Sequence, residues 1–180
     1  TLDWSKLKES AISSGVVIVL DDKIQHEDPF YRSALTAFPD LYCSSLNLSF
    51  TFAVTKQHLK DNLDWVGVAF GSEDLLDSGF VGNHCLLLVR SNGTVSIQCP
   101  KGTIGQTENV FDPGSNKPLS VRLIVGDNKI VVQVNEKTAL DVVYTGKIAG
   151  EFGLTNFGND VVFSDIRCNG TLADRPSPLT

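Results

Sequence analysis

The chain carries no surplus of positive charge: 15 Lys and Arg stand against 21 Asp and Glu, a formal net charge of −6. That excludes a nucleic-acid binder, which shows a basic stripe, and disfavours an anionic membrane surface. No apolar stretch reaches the roughly 18 residues needed to cross a bilayer, so no membrane insertion is expected. No two cysteines form a CxxC pair or other zinc-like spacing. The three histidines, His26, His58 and His84, lack both metal spacing and a Ser-His-Asp order, so none is assigned to catalysis and His84 is read as structural. Internal repeats, low-complexity runs and long linkers are absent too. The first residue is Thr1 rather than Met, which fits a removed leader or an excised fragment.

What is present is a foldable domain. A chain of 180 residues, 42% of them hydrophobic, supports one sizeable core. Residues 1–172 are read as a single domain. Residues 173–180, with Pro176 and Pro178, are read as a tail or linker. Four cysteines, Cys43, Cys85, Cys99 and Cys168, can form two disulfides or stay as buried thiols. Three N-glycosylation sequons start at Asn47, Asn92 and Asn169. Together with the even cysteine count they favour an extracellular or cell-surface glycoprotein.

Local patterns point to strands. Asp3 is a cap candidate for a short helix over 3–10, with Trp4, Leu7 and Ala11 at helical spacing. Val16 to Leu20 reads as a buried strand, and 21–42 as a long irregular loop with one helical turn near Tyr31 to Phe38. Leu48, Phe50, Phe52 and Val54 share one face of an alternating strand. A helical turn is expected over 55–62, a strand over 64–71, and a capped turn at Leu75-Leu76. Ser91-Asn92-Gly93 separates two apolar runs, a strong hairpin signal. A two-residue turn places Cys85 opposite Pro100; a three-residue loop places it opposite Cys99. Cys43 and Cys168 offer another pairing, and the sequence leaves all connectivities open. From 118 onward a meander runs through Leu119–Val125, Ile130–Val134, Ala139–Val143, Gly150–Thr155 and Val161–Cys168. About ten strands at this spacing indicate a sandwich or barrel.

The run from Val121 to Asn135 resembles the C-terminal meander of concanavalin-A-like and laminin-G-like sandwiches. Gly150-Glu151-Phe152-Gly153-Leu154 followed by Val161-Val162-Phe163-Ser164-Asp165-Ile166 is similar to how such domains close, as in levan-binding and sugar-hydrolase-associated modules. The resemblance covers 118–168 well and 44–98 loosely. It implies an all-β, two-sheet antiparallel jelly-roll sandwich with short peripheral helices. It does not by itself imply a function.

Within that frame the expected role is a non-catalytic, lectin-like carbohydrate-binding domain with a glycan or polysaccharide partner. The alternatives are a polysaccharide-degrading enzyme and an extracellular protein-interaction or adhesion domain. The Glu-x-Asp-x-x-Glu strand of such glycosidases is missing, and Glu73, Asp74 and Asp77 read as a solvated, capped turn. Sugar recognition needs an aromatic platform beside polar groups. Trp65, Phe70, Phe80, Tyr31, Tyr144 and Phe157 are the aromatic candidates. The expected ligand-binding set is Asn156, Phe157, Asn159 and Asp160, in a loop between the last two strands, with Trp65. The resemblance also implies a structural calcium, for which Asp165, Asp21 and Asp22 supply hard oxygen ligands.

Overall fold

A computed structural model describes residues 1–78, 83–113, 115 and 117–176. The elements in chain order are β1 (Leu2–Asp3), α1 (Trp4–Ser10), β2 (Ile12–Ser14), β3 (Val16–Val19), β4 (Lys23–Glu27), β5 (Ala34–Ala37), β6 (Cys43–Gln57) and β7 (Trp65–Ser72). They continue with α2 (Leu75–Ser78), β8 (Cys85–Arg90), β9 (Val95–Cys99), β10 (Gly102–Thr107), β11 (Leu119–Gly126), β12 (Lys129–Val134), β13 (Lys137–Val143), β14 (Glu151–Phe157) and β15 (Asn159–Leu172). All strand pairs are antiparallel. One sheet runs β13-β12-β11-β6-β15-β4-β3, with β1 beside β15; the other runs β10-β9-β8-β7-β14-β5-β2. This is the two-sheet sandwich with short peripheral helices that the strand spacing and the closing meander foretell.

The core between the sheets follows from alternation. Leu48, Phe50 and Phe52 of β6, Val121 and Leu123 of β11 and Phe163 of β15 meet Val66, Val68 and Phe70 of β7 and Leu87 of β8. Rings lock the filling: Phe50 lies 5.7 Å from Phe163, and Phe38 stacks on Phe152 at 5.1 Å. Trp4 of α1 closes one end, its indole N–H donating to the Leu20 carbonyl at 2.9 Å.

Several local expectations change. Val16, Ile18 and Val19 are exposed, not buried, because β3 is the outermost strand of its sheet and has one neighbour only. The segment 21–42 is not one long loop: it holds β4 and β5, and no helical turn forms near 31–38. These strands are four and five residues long, too short for alternation to register against the acids and aromatics around them. Likewise β6 continues through Gln57 where a helical turn is expected. The capped turn does form at α2, where the Asp74 carboxylate accepts the Asp77 N–H at 3.2 Å.

The hairpin of β8 and β9 takes the three-residue register. Val89 lies opposite Val95, Leu86 opposite Gln98, and Gly93 supplies a positive φ of 92°. Cys85 and Cys99 are joined by a disulfide with Cα atoms 4.1 Å apart, while Cys43 and Cys168 are buried free thiols. The described part of the tail, through Pro176, folds back. Arg175 pairs with the buried Glu151 at 2.7 Å and lies 5.2 Å from the centre of the Tyr42 ring.

Candidate functional site

The outer face of the seven-stranded sheet carries a second apolar cluster. Strand alternation that turns Val66, Val68 and Phe70 inward turns Trp65 and Ala69 of β7 outward. Leu86 and Leu88 of β8, Ala37 of β5 and Leu75 of α2 join them, with Leu35, Leu76 and Phe157 packed at the margin. On this face lies a pocket of about 90 Å³. Leu35, Ala69 and Leu86 form its apolar floor, and Leu76 of α2 closes one wall. The polar lining is Ser14 of β2, Arg32 and Ser33 from the turn before β5, Thr155 of β14 and His84 just before β8. Five adjacent strands, β8-β7-β14-β5-β2, therefore build one hollow. Its volume admits several waters or the edge of a small polar ligand.

His84 distinguishes this pocket from a packing defect. The residue is 7% exposed, and its Nδ1 is the one buried side-chain polar atom without a hydrogen-bond partner among the described residues. Burial also lowers its pKa from the usual histidine value, which favours the neutral ring. An orphaned buried nitrogen costs stability.

The residues chosen from sequence gather at the end of β14, beside this pocket. The expected loop at 156–160 is a tight turn crossing from one sheet to the other: β14 runs through Phe157, Gly158 turns at φ 72°, and β15 starts at Asn159. Asn156 and Asn159 are both 0% exposed, and their amides are spent inside the protein. Asn156 Nδ2 donates to the Asn159 backbone oxygen at 2.8 Å, so its Oδ1 accepts from His26 Nδ1 at 3.0 Å. His26 Nε2 then accepts from the Thr36 hydroxyl at 2.7 Å. Asn159 Nδ2 donates to Asp64 at 2.8 Å, and that fully buried carboxylate also accepts from Gln57 and Ser91. These two asparagines hold the turn between the sheets; they present nothing to a ligand. Asp160 is half-buried and accepts from His58 Nε2 at 2.9 Å and from the Asp28 N–H at 3.2 Å.

Two of the expected aromatics meet here. Trp65 and Phe157 stack at 5.9 Å with 18° between planes, and Tyr31 lies 6.1 Å from Phe157. Trp65 is 3% exposed, Phe157 is half-buried and Tyr31 is exposed. Phe70 belongs to the inter-sheet core, and Tyr144 packs at its edge. Phe80 lies outside the described residues.

The acids named for calcium are not brought together. Asp165 is exposed on the outer face of the eight-stranded sheet, in an irregularity of β15 at φ 49°, beside Arg122 and Arg167. Asp21 projects into solvent and pairs with Lys8 at 3.4 Å, and Asp22 is exposed. No three His, Cys, Asp or Glu residues converge on a metal position among the described residues, so this donor set does not fit calcium, which takes six to eight oxygens. The sequon asparagines Asn47 and Asn169 face each other on β6 and β15, and Asn92 sits in the β8–β9 loop with its Oδ1 accepting the Thr94 N–H at 3.0 Å.

Sequence reasoning did not single out Arg32, Ser33 or His84 as lining one hollow. The only available signal was a polar, turn-rich segment before β5 and a histidine opening a strand. Nothing local says that they face one hollow.

No protein-family model and no curated protein sequence matches the chain. Solved structures do. The carbohydrate-binding module CBM66 from Bacillus subtilis superposes with a TM-score of 0.70 at 12% identity, over 89% of this chain and 96% of that one. A Bacillus subtilis protein of unknown function with a galectin-like fold gives 0.70 at 14% identity, over 95% and 93%. The exoplasmic/lumenal domain of VIP36, in its Ca2+/Man2-bound form, gives 0.70 at 10% identity, over 93% and 83%. At such identities the likeness speaks for architecture: the chain has the concanavalin-like, galectin-like jelly-roll sandwich fold.

Proposed function

We propose that this domain binds carbohydrate, without catalysis, in the pocket on the outer face of the seven-stranded sheet. The observation that carries the reading is a hollow lined by hydroxyls, a guanidinium and the His84 imidazole over an apolar floor. A sugar edge offers matching hydroxyls and C–H groups. Phe157 and Tyr31, on the same side of the molecule, supply aromatic surface at the margin for stacking. Structural neighbours of the same fold include a carbohydrate-binding module and a domain solved with a mannose disaccharide, which supports a glycan partner. Among the described residues no carboxylate lines the pocket, which supports a reading without the paired acids of a glycosidase. The reading includes no calcium. The disulfide and the three sequons support an extracellular or cell-surface setting.

The decisive variant is His84→Leu. Removing an unsatisfied buried nitrogen should leave stability unchanged or raise it by about 1 kcal/mol. If the nitrogen serves a ligand, binding found on a glycan array and measured by calorimetry should fall by about ten-fold or more. Phe157→Ala should weaken binding less, and EDTA should not change it. Unchanged affinity in His84→Leu, or silence of the folded protein across the array, would overturn the proposal. Silence would shift the assignment to a protein partner.

A further inference from the structure

We infer that the sugar taken by this pocket carries an anionic substituent, a carboxylate or a sulfate ester, held by Arg32. The inference rests on the pocket being a glycan site and names the class of glycan. A neutral sugar presents a ring of O–H donors, which carboxylate and amide acceptors match best. Among the described residues none lines this pocket, where the polar side chains are three hydroxyls, one imidazole and one guanidinium. Of the hydroxyls, Thr155 already donates to the Ala34 carbonyl at 2.8 Å. The lining is rich in donors and carries a positive charge in a chain whose net charge is −6.

The turn that presents Arg32 is built to leave its guanidinium free. Tyr31 at φ 58° and Ser33 at φ 60° flank it, both in the left-handed region that non-glycine residues rarely adopt. Asp28, the acid four residues earlier, is 3% exposed and does not pair with it. One Asp28 oxygen accepts the backbone N–H of Arg32 at 2.8 Å and the other accepts the Gly158 N–H at 2.8 Å. The carboxylate that could neutralise Arg32 is thus spent on shaping the turn. Among the described residues the exposed Arg32 side chain has neither an ion pair nor a hydrogen bond. A turn holding an unpaired guanidinium beside a donor-rich hollow is complementary to an oxyanion.

Calorimetry with a matched set of oligosaccharides tests this: a neutral sugar, its uronic-acid counterpart and its sulfate ester, against the wild-type chain and Arg32→Gln. One acidic form should bind about ten-fold tighter than the neutral one, and the preference should disappear in Arg32→Gln. The preference should also shrink as salt rises. Stronger binding of the uronate assigns the planar carboxylate, and stronger binding of the ester assigns sulfate. Equal affinity for neutral and acidic sugars, or a preference that survives Arg32→Gln, would overturn the inference and leave the glycan reading standing. Absence of binding by every member of the set, with folding verified by thermal unfolding, would overturn both. Arg32 is exposed, so its substitution removes no core contact.

Discussion

His26 and His84 show two fates for a buried imidazole. His26 donates from Nδ1 to Asn156 and accepts at Nε2 from Thr36, so both nitrogens are satisfied and the ring is neutral. Desolvation pushes its pKa down to about 4, against 6.5 for an ordinary histidine, and the hydrogen bond to Asn156 offsets this in part. The consequence has a definite sign. Between pH 6.5 and 4 the unfolded chain takes up a proton that the folded chain refuses, so stability falls as pH falls. The full loss below pH 4 is about 3 kcal/mol. Urea unfolding at pH 7 and pH 4.5 should show this decline, and His26→Gln should flatten it. An equal decline in the variant would place the effect in the carboxylates. His84 is the opposite case, a neutral ring with an open nitrogen, and its substitution is expected to affect binding and not folding. The sequence shows two histidines in polar settings. Only the packing around each shows which one has both nitrogens satisfied.

At the scale of elements, register does the sorting. The three-residue loop between β8 and β9 brings Cys85 opposite Cys99, 14 residues apart in sequence, and a closed loop of that size contributes about 3 kcal/mol. Cys43 and Cys168 lie elsewhere in the core, and burial pushes their thiols up to about 11 and about 12. Alkylation of the native protein at pH 7.5 without reductant should therefore modify no cysteine. Two should react after unfolding and four after unfolding with reductant. A native protein that reacts at once would contradict the buried thiols. The same logic applies to the sequons. Asn47 of β6 and Asn169 of β15 are direct cross-strand partners on the outer face, where such side chains stand about 5 Å apart. Two glycans have no room there, so one folded molecule expressed through a secretory pathway should carry at most one of them. Glycopeptide mapping combined with intact mass checks this, and a doubly occupied folded species would refute it. The hairpin signal in Ser91-Asn92-Gly93 was legible because turn chemistry is local. The exposure of Val16–Val19 was not, since a β-branched run looks the same in a central strand and at a sheet edge.

For the whole molecule, the proposed binding face and the outer face with Asn47 and Asn169 lie on opposite sides of the sandwich. A glycan on the second would leave the first open. The glycan-array outcome for His84→Leu and Arg32→Gln decides whether the first face binds. Amino-acid order alone determined the all-β class, the inter-sheet faces of β6, β11 and β12, and the closing meander, because alternation and turn residues act over a few positions. It also singled out Phe157 and Trp65, which do meet on the outer face. Tertiary structure alone decided the rest. It turned Asn156 and Asn159 into internal struts by placing His26 and Asp64 against them. It assembled the pocket from Ser14, Arg32, His84 and Thr155, which lie as much as 141 positions apart in the chain and come together because β8, β7, β14, β5 and β2 are neighbours in one sheet. Strand order is set by how the apolar faces of the whole chain bury one another, and no local pattern encodes it.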